Sequence, residues 1–107
     1  MPGDTRERNE ALFREVNERI EDVSTMLDRD DEMEFLCECD DPECVEKVSA
    51  TRAEYEAIRE VATHFVVLPG HEDPAVEHVV QHTDRFLVVE KEGRAAYEAQ
   101  EDDPRER

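Results

Sequence analysis

The three cysteines of this chain, Cys37, Cys39 and Cys44, all lie within one stretch of eight residues. Cys37 and Cys39 are two positions apart, so in an extended segment both side chains leave the same face of the backbone. The Asp-Asp-Pro sequence at 40–42 favours a turn, because Asp hydrogen-bonds to nearby backbone and Pro restricts φ. Such a reversal brings Cys44 back toward the other two sulfurs. Zinc prefers a tetrahedron of Cys and His ligands, so this spacing predicts three ligands of a structural zinc site.

The fourth zinc ligand is expected to be one of the four histidines. His71 is the first candidate, because it follows a Pro-Gly pair whose turn can present a side chain from a loop. His64 is the second candidate, since it begins the apolar run that leads into this turn. His78 and His82 come next; they are four positions apart and share a face on either a helix or a strand, which would allow a weak second metal site. They are expected to be ordinary surface residues rather than a second metal site.

Other interpretations of the cysteines stay open. Without a metal, they would be small, partly buried apolar side chains. If no histidine completes the tetrahedron, a water molecule can occupy the open position, with Glu72 or Glu38 as general base of a hydrolase-like enzyme. Three thiolates neutralise the charge of the ion and weaken it as a Lewis acid, which favours a structural role. A thiol-based redox or metal sensor is the remaining alternative, and the spacing does not match the ferredoxin patterns of iron–sulfur proteins.

The length and composition indicate one small domain with a modest core. We expect a single domain over 1–107, with an ordered core at about 5–100 and flexible tails at 1–4 and 101–107. Hydrophobic residues make up 37% of the chain and charged residues 41%. A metal ion that ties a loop to a strand would add stability where so few apolar side chains are available.

The net charge of −18 is the strongest compositional constraint on partners. Like-charge repulsion opposes direct binding to nucleic-acid phosphates or to an anionic membrane, and solubility or a salt-rich cytoplasm is the alternative explanation of the acidity. The expected partner is another protein with a basic or apolar surface. No apolar run reaches the roughly 18 residues of a membrane span, and the first residues lack the apolar segment of a signal peptide. An odd number of cysteines then favours reduced thiols in the cytoplasm.

The first element is predicted to be a long helix beginning near Thr5, since Asp4 and Glu7 have the spacing of a capping box. Apolar residues recur after it at steps of three and four, which is typical of an amphipathic helix: Leu12, Phe13, Val16, Ile20, Val23 and Leu27. We expect this stripe to pack on the sheet of the domain. The alternative is that it pairs with a second copy, giving a homodimer through the N-terminal helix, or with a helix of a partner.

The remainder of the chain predicts an α+β fold with one small antiparallel sheet of three or four strands. Thr51 and Glu54 form a second capping box, which predicts a short central helix with Tyr55 on its inner face. The predicted elements are an acidic linker at 28–32, strands at 33–39, 45–48 and 64–68, the central helix at 52–61, a β-hairpin over 76–89 in preference to a helix, and a short helix at 94–99.

Several of these segments together resemble a known protein family. They are Phe35-Leu36-Cys37-Glu38-Cys39, Cys44, Tyr55-Glu56-Ala57-Ile58-Arg59, Phe65 to Glu72 and Leu87-Val88-Val89-Glu90-Lys91. Over about residues 10–92, the chain resembles a family of small uncharacterised bacterial proteins with a Cys-x-Cys-x4-Cys and Pro-Gly-His signature. The resemblance implies that these residues belong to one module and favours His71 as the fourth ligand. It implies no activity.

The function expected from the sequence is that of a non-enzymatic, cytoplasmic, zinc-binding protein. Structural zinc bound to Cys37, Cys39, Cys44 and His71 would hold a protein-interaction module, with a regulatory role as one form of it. The alternative is the zinc-dependent enzyme or thiol-based sensor described above, built on the same cysteines.

Overall fold

The computed structural model describes residues 5–23, 31–39, 41, 43–44 and 46–101. Within these ranges it contains three helices and five strands. In chain order they are α1 (Thr5–Val23), β1 (Glu32–Leu36), β2 (Lys47–Thr51), α2 (Arg52–Arg59), β3 (His64–Val67), β4 (Glu77–His82), β5 (Leu87–Lys91) and α3 (Gly93–Glu101). The predicted α+β class is confirmed, with its long N-terminal helix and short central helix.

The strands form two antiparallel sheets: the small sheet expected from the sequence has three strands, and a second sheet has two. Strand β1 pairs with β2, and a three-stranded sheet has the order β3-β5-β4. Glu38 joins the two sheets: its N–H donates to Val66 O at 2.8 Å, and its carboxylate Oε1 accepts from Val66 N at 3.0 Å. Both backbone groups of Val66 are thus bonded to one residue, so a side chain occupies the place that another strand would take in a continuous sheet.

Helix α2 begins as the sequence predicts. The hydroxyl of Thr51 accepts from Glu54 N at 3.0 Å, and the Glu54 carboxylate accepts from Thr51 N at 2.8 Å. This reciprocal pair satisfies two N–H groups that the first turn of a helix leaves without partners. Tyr55 and Ile58 are buried, which confirms the predicted inner face. The Tyr55 ring stacks on Phe35 with centroids 4.5 Å apart and so attaches α2 to the β1–β2 hairpin.

The predicted hairpin over 76–89 is also confirmed, with its connection closed by a hydrogen bond from Thr83 N to Phe86 O of 2.9 Å. Its strands are joined by an ion pair, in which Lys91 Nζ lies 2.5 Å from Glu77 Oε1 and both side chains are 2% exposed. Burial of a charge is unfavourable unless it is paired. This pair therefore favours the register in which the first residue of β4 faces the last residue of β5.

The inward face of α1 is more polar than predicted, although part of the predicted apolar stripe packs inward, with Ile20 against the hydrophobic core. Arg14, Asn17 and Glu21 are buried, whereas Leu12 is 52% exposed. The buried polar groups have partners: the Arg14 guanidinium donates to Ala62 O at 2.6 Å and Ala99 O at 2.7 Å and lies over the Phe65 ring. From the predicted stripe, Phe13, Val16 and Ile20 are half-buried. Hydrogen bonding, rather than apolar burial alone, therefore decides how α1 is rotated.

Some predicted features lie outside the described residues. These are the tails at 1–4 and 102–107, the Asp4 cap, the last turn predicted for α1, Leu27, and most of the acidic linker. Glu101, assigned to the flexible tail from the sequence, is the last residue of α3. Strand β1 ends at Leu36, so the predicted strand at 33–39 is shorter than expected. None of the described helices is long and apolar enough to cross a membrane.

The contact between α1 and α2 predicts a pH-dependent stability. Arg52 Nε donates to Glu21 Oε2 at 3.1 Å, but burial and the neighbouring Glu56 carboxyl raise the pKa of Glu21 from 4.5 to about 7. A raised carboxyl pKa means that the folded state binds the proton more tightly than the unfolded state. The protonated group therefore stabilises the fold at low pH, and this stabilisation is lost as the pH rises through about 7.

We expect Glu21→Gln, which mimics the protonated form, to gain stability relative to the unsubstituted protein as the pH rises from 5 to 8. The difference between the two free energies of unfolding should change by about 2 kcal/mol over this pH range, measured by chemical denaturation of both proteins at each pH. Glu15→Gln controls for the loss of one charge, because Glu15 lies on the same helix with its side chain 54% exposed. A constant difference between Glu21→Gln and the unsubstituted protein across this range would contradict the prediction.

Candidate metal centre

The side chains of Cys37, Cys39, Cys44 and His71 converge on one point. Their ligand atoms all lie within 4.8 Å of one another. His71 Nδ1 is 3.6 Å from both Cys37 Sγ and Cys44 Sγ. A tetrahedral ion with Zn–S bonds of about 2.3 Å and a Zn–N bond of about 2.0–2.1 Å places sulfur and nitrogen about 3.6 Å apart. The group can therefore hold a metal ion without rearrangement of these contacts.

The loop that carries the cysteines is shaped by hydrogen bonds at both ends. Cys37 N donates to Glu46 O at 3.1 Å, which extends the β1–β2 ladder by one residue before the chain leaves it. Asp41 then stabilises the turn that leads to Cys44. Its backbone O accepts from Cys44 N at 3.1 Å, and its Oδ1 accepts from Glu43 N at 3.0 Å. Asp40 and Pro42, which the sequence also assigned to this turn, are outside the described residues.

His71 is supplied by the turn that follows β3. His71 N donates to Leu68 O at 2.9 Å across the Pro69-Gly70 pair. Gly70 has φ of +92°, a conformation that side chains disfavour, and Pro followed by Gly is typical of a type II turn. Glu72 Oε1 accepts from Gly70 N at 2.9 Å, and this hydrogen bond also stabilises the turn. The local sequence thus explains why the imidazole is held close to the end of β3.

Backbone N–H groups stabilise the thiolates. Leu68 N donates to Cys37 Sγ at 3.3 Å, and the backbone of Asp41 and of Glu46 lowers the pKa of Cys39 and of Cys44, respectively. These bonds lower the pKa of the thiol that accepts them, because they stabilise the thiolate. Thiolates are the form that binds metal, so the backbone around the cluster is arranged for the ligand state.

The thiols also perturb one another. The hydrogen bond with Cys37 lowers the pKa of Cys39, and the same contact together with burial raises the pKa of Cys37. Burial raises the pKa of Cys44. One thiolate is therefore favoured in the cluster while its neighbours keep their protons. A divalent ion that bound all three sulfurs would displace those protons.

The cluster is shielded from solvent. Cys37, Cys39 and Cys44 are 1%, 2% and 9% exposed, and His71 is half-buried. The cysteines are reduced and form no disulfide. Side chains of the hydrophobic core pack around them. Of the four side chains, His71 is the most exposed.

Glu38, between the first two cysteines, anchors their segment to the core. Its Oε2 accepts from Asn17 Nδ2 at 2.8 Å and from the Tyr55 hydroxyl at 2.7 Å, and its Oε1 accepts from Val66 N. Burial raises the pKa of Glu38, while these hydrogen bonds act in the opposite direction. Asn17 also bonds to Leu36, with its Oδ1 2.7 Å from Leu36 N and its Nδ2 2.9 Å from Leu36 O. Helices α1 and α2 and strand β3 therefore all position the backbone that carries Cys37 and Cys39.

Of the other histidines, none joins the cluster. His64, the second candidate, lies on β3 opposite Glu90, and burial lowers its pKa. His78 bonds instead to Glu92 and lies 3.5 Å from Glu90. The prediction that His78 and His82 share a face is wrong. A β-bulge between Val79 and Gln81 shifts the register, so His78 is opposite Glu90 and His82 opposite Leu87, on different faces of the sheet.

The two carboxylates proposed from the sequence as general bases have other contacts. Glu38 is fully buried, with both carboxylate oxygens engaged as described, and Glu72 accepts from Gly70 N. Sequence reasoning did not identify the anchoring roles of Asn17, Glu38 and Tyr55. The available signal was weak: Asn17 is a polar residue beside the apolar positions of an amphipathic helix.

The architecture and the cluster define a small α+β domain with a candidate metal centre of three cysteines and one histidine. Comparison with protein-family models gives no match, and neither the curated proteins nor the solved structures contain a significant match. The resemblance to a bacterial family therefore stays a prediction. In the described part of the chain, this is the one group of three or more Cys, His, Asp or Glu side chains positioned to hold a metal ion.

Because Tyr55 donates to Glu38 in the core, we expect Tyr55→Phe to lower the free energy of unfolding by about 1 to 3 kcal/mol. The ring and its stacking on Phe35 are retained, so the effect reports the hydroxyl alone. Chemical denaturation of the metal-loaded protein measures it. Tyr97→Phe is the matched control, because Tyr97 is 63% exposed, and it should change stability little. Equal stability of the two variants would contradict the anchoring role of Glu38.

Proposed function

We propose that Cys37, Cys39, Cys44 and His71 bind one zinc ion as a structural site. The observation that carries this proposal is the spacing of the donor atoms, with ligand atoms within 4.8 Å and sulfur–nitrogen separations of 3.6 Å. The two sulfur–nitrogen separations match the sulfur–nitrogen edge of a zinc tetrahedron, which is about 3.6 Å. Three thiolates and one imidazole are a frequent ligand set of structural zinc, whereas magnesium and calcium prefer oxygen ligands.

The completeness of the donor set supports a structural rather than a catalytic role. Four protein ligands fill the tetrahedron, while catalytic zinc keeps one position for water. Three thiolates also place enough negative charge on the ion to weaken it as a Lewis acid. The cysteines are buried, so a substrate has little access to the ion. Zinc then acts by joining the loop after β1 to the turn after β3.

The biological role that follows is a non-enzymatic interaction module working in the cytoplasm, where thiols stay reduced. The net charge of −18 supports a protein partner with a basic or an apolar surface and opposes contact with nucleic-acid phosphates. A regulatory task is one form of such binding. The zinc would keep the module folded rather than contact the partner.

We expect the purified protein to bind one zinc ion per chain, and His71→Ala to weaken this binding by more than about 100-fold. Loss of an outer-shell partner already costs about 10–100-fold, so loss of a direct ligand should cost more. Competition with a chromophoric chelator measures the affinity. His82→Ala is the matched control, since His82 is exposed and lies on β4, and it should bind zinc as the unsubstituted protein does. Equal affinities of these two variants would exclude His71 as a ligand.

Removal of the zinc should destabilise the fold. At free zinc about 1,000-fold above the dissociation constant, the loaded protein should be more stable than the metal-free protein by about 4 kcal/mol. Denaturation with and without chelator, under reducing conditions, measures the difference. A metal-free protein that is equally stable would contradict the structural role and favour the thiol-based sensor.

A further inference from the structure

Strand β4 is exposed over almost its whole length. It forms one edge of the β3-β5-β4 sheet, and each residue from His78 to His82 is exposed, while Glu77 alone is buried. Val79 and Val80 are 41% and 43% exposed. An edge strand with exposed valines is a template for pairing with another strand, and most proteins protect such edges with charges or a covering element.

The two edges of this sheet differ. The β3 edge is covered, since Glu38 bonds to both backbone groups of Val66. The outer edge of β4 has no such cover: among the described residues, no backbone hydrogen bond reaches His78–His82 from a segment other than its neighbour β5 and its own hairpin turn. A β-bulge between Val79 and Gln81 leaves Val80 without a Cα partner in the register with β5.

This edge is locally neutral on a chain of net charge −18. The segment 78–82 reads His-Val-Val-Gln-His and contains no acidic residue. The carboxylate of Glu77 is buried against Lys91, and the carboxylates of Glu90 and Glu92 face His78. A basic peptide would find little charge to bind here. Two copies of the chain, by contrast, can approach along β4 with less repulsion than along an acidic surface.

We propose that β4 pairs antiparallel with β4 of a second copy of this chain, extending one sheet across a twofold axis. A twofold interface needs a patch that complements itself. The paired valines at the centre, with Gln81 and the two histidines around them, meet that requirement. The dimer therefore forms through β4 rather than through the N-terminal helix, whose exposed large apolar side chain within the described residues is Leu12. This inference does not depend on the metal.

The test is the mass of the full-length, zinc-loaded protein by analytical ultracentrifugation across a wide concentration range. We expect a reversible dimer, and Val80→Lys should raise its dissociation constant by at least about tenfold, because the variant brings like charges together at the twofold axis. Val61→Lys is the matched control, because Val61 is 40% exposed but precedes β3, and it should dimerise like the unsubstituted protein. Circular dichroism and zinc content confirm that both variants fold.

Hydrogen exchange of the unsubstituted protein tests the same interface without a variant. The backbone amides of 78–82 should exchange more slowly as concentration rises, while the α1 amides should not change. A monomer at every concentration overturns the proposal. So does a dimer that Val80→Lys leaves intact, a dimer weakened equally by Val61→Lys, or protection that rises in α1 instead of β4.

Discussion

The buried carboxylate of Glu38 is the constraint on which the rest of this structure depends. It accepts hydrogen bonds from Asn17 on α1, from Tyr55 on α2 and from Val66 on β3. A carboxylate inside an apolar core is costly unless its oxygens have partners. The three elements must therefore stay in place together, and the backbone on either side of Glu38, which carries Cys37 and Cys39, stays with them.

This anchoring explains how a small core can support a defined metal centre. The cysteine loop and the turn at His71 follow strands of different sheets, and they are joined by the hydrogen bonds of Glu38 with Val66 and of Leu68 N with Cys37 Sγ. A connection made by so few hydrogen bonds would allow the cysteine sulfurs and the His71 imidazole to separate. The Glu38 network holds one half of the site, the Pro-Gly turn holds the other, and a bound ion would join them directly.

Polar groups carry much of the specificity of this fold, as expected for a chain in which 41% of residues are charged. Arg14, Glu21 and the Lys91–Glu77 pair are all buried with partners. Each such group favours one rotation of a helix or one register of a strand pair, because any other arrangement would leave a buried charge unpaired. On this acidic chain, the exposed segment 78–82 of β4 contains no acidic residue.

Several features depend on residues that are only a few positions apart, and these could be predicted from the sequence alone. They are the cluster of Cys37, Cys39 and Cys44, the candidate histidine His71 after its Pro-Gly turn, and the start of α2 at the Thr51–Glu54 cap. The α+β class could be predicted as well. The division into two sheets, the rotation of α1 and the separation of His78 from His82 were decided only by the tertiary structure. In each case the deciding contact joins distant residues: Glu38 with Val66, Asn17 with Leu36, and the shifted register of β4 on β5. Periodicity along the chain carries no information about such contacts, because a buried polar residue and an exposed one look alike until the partner is known.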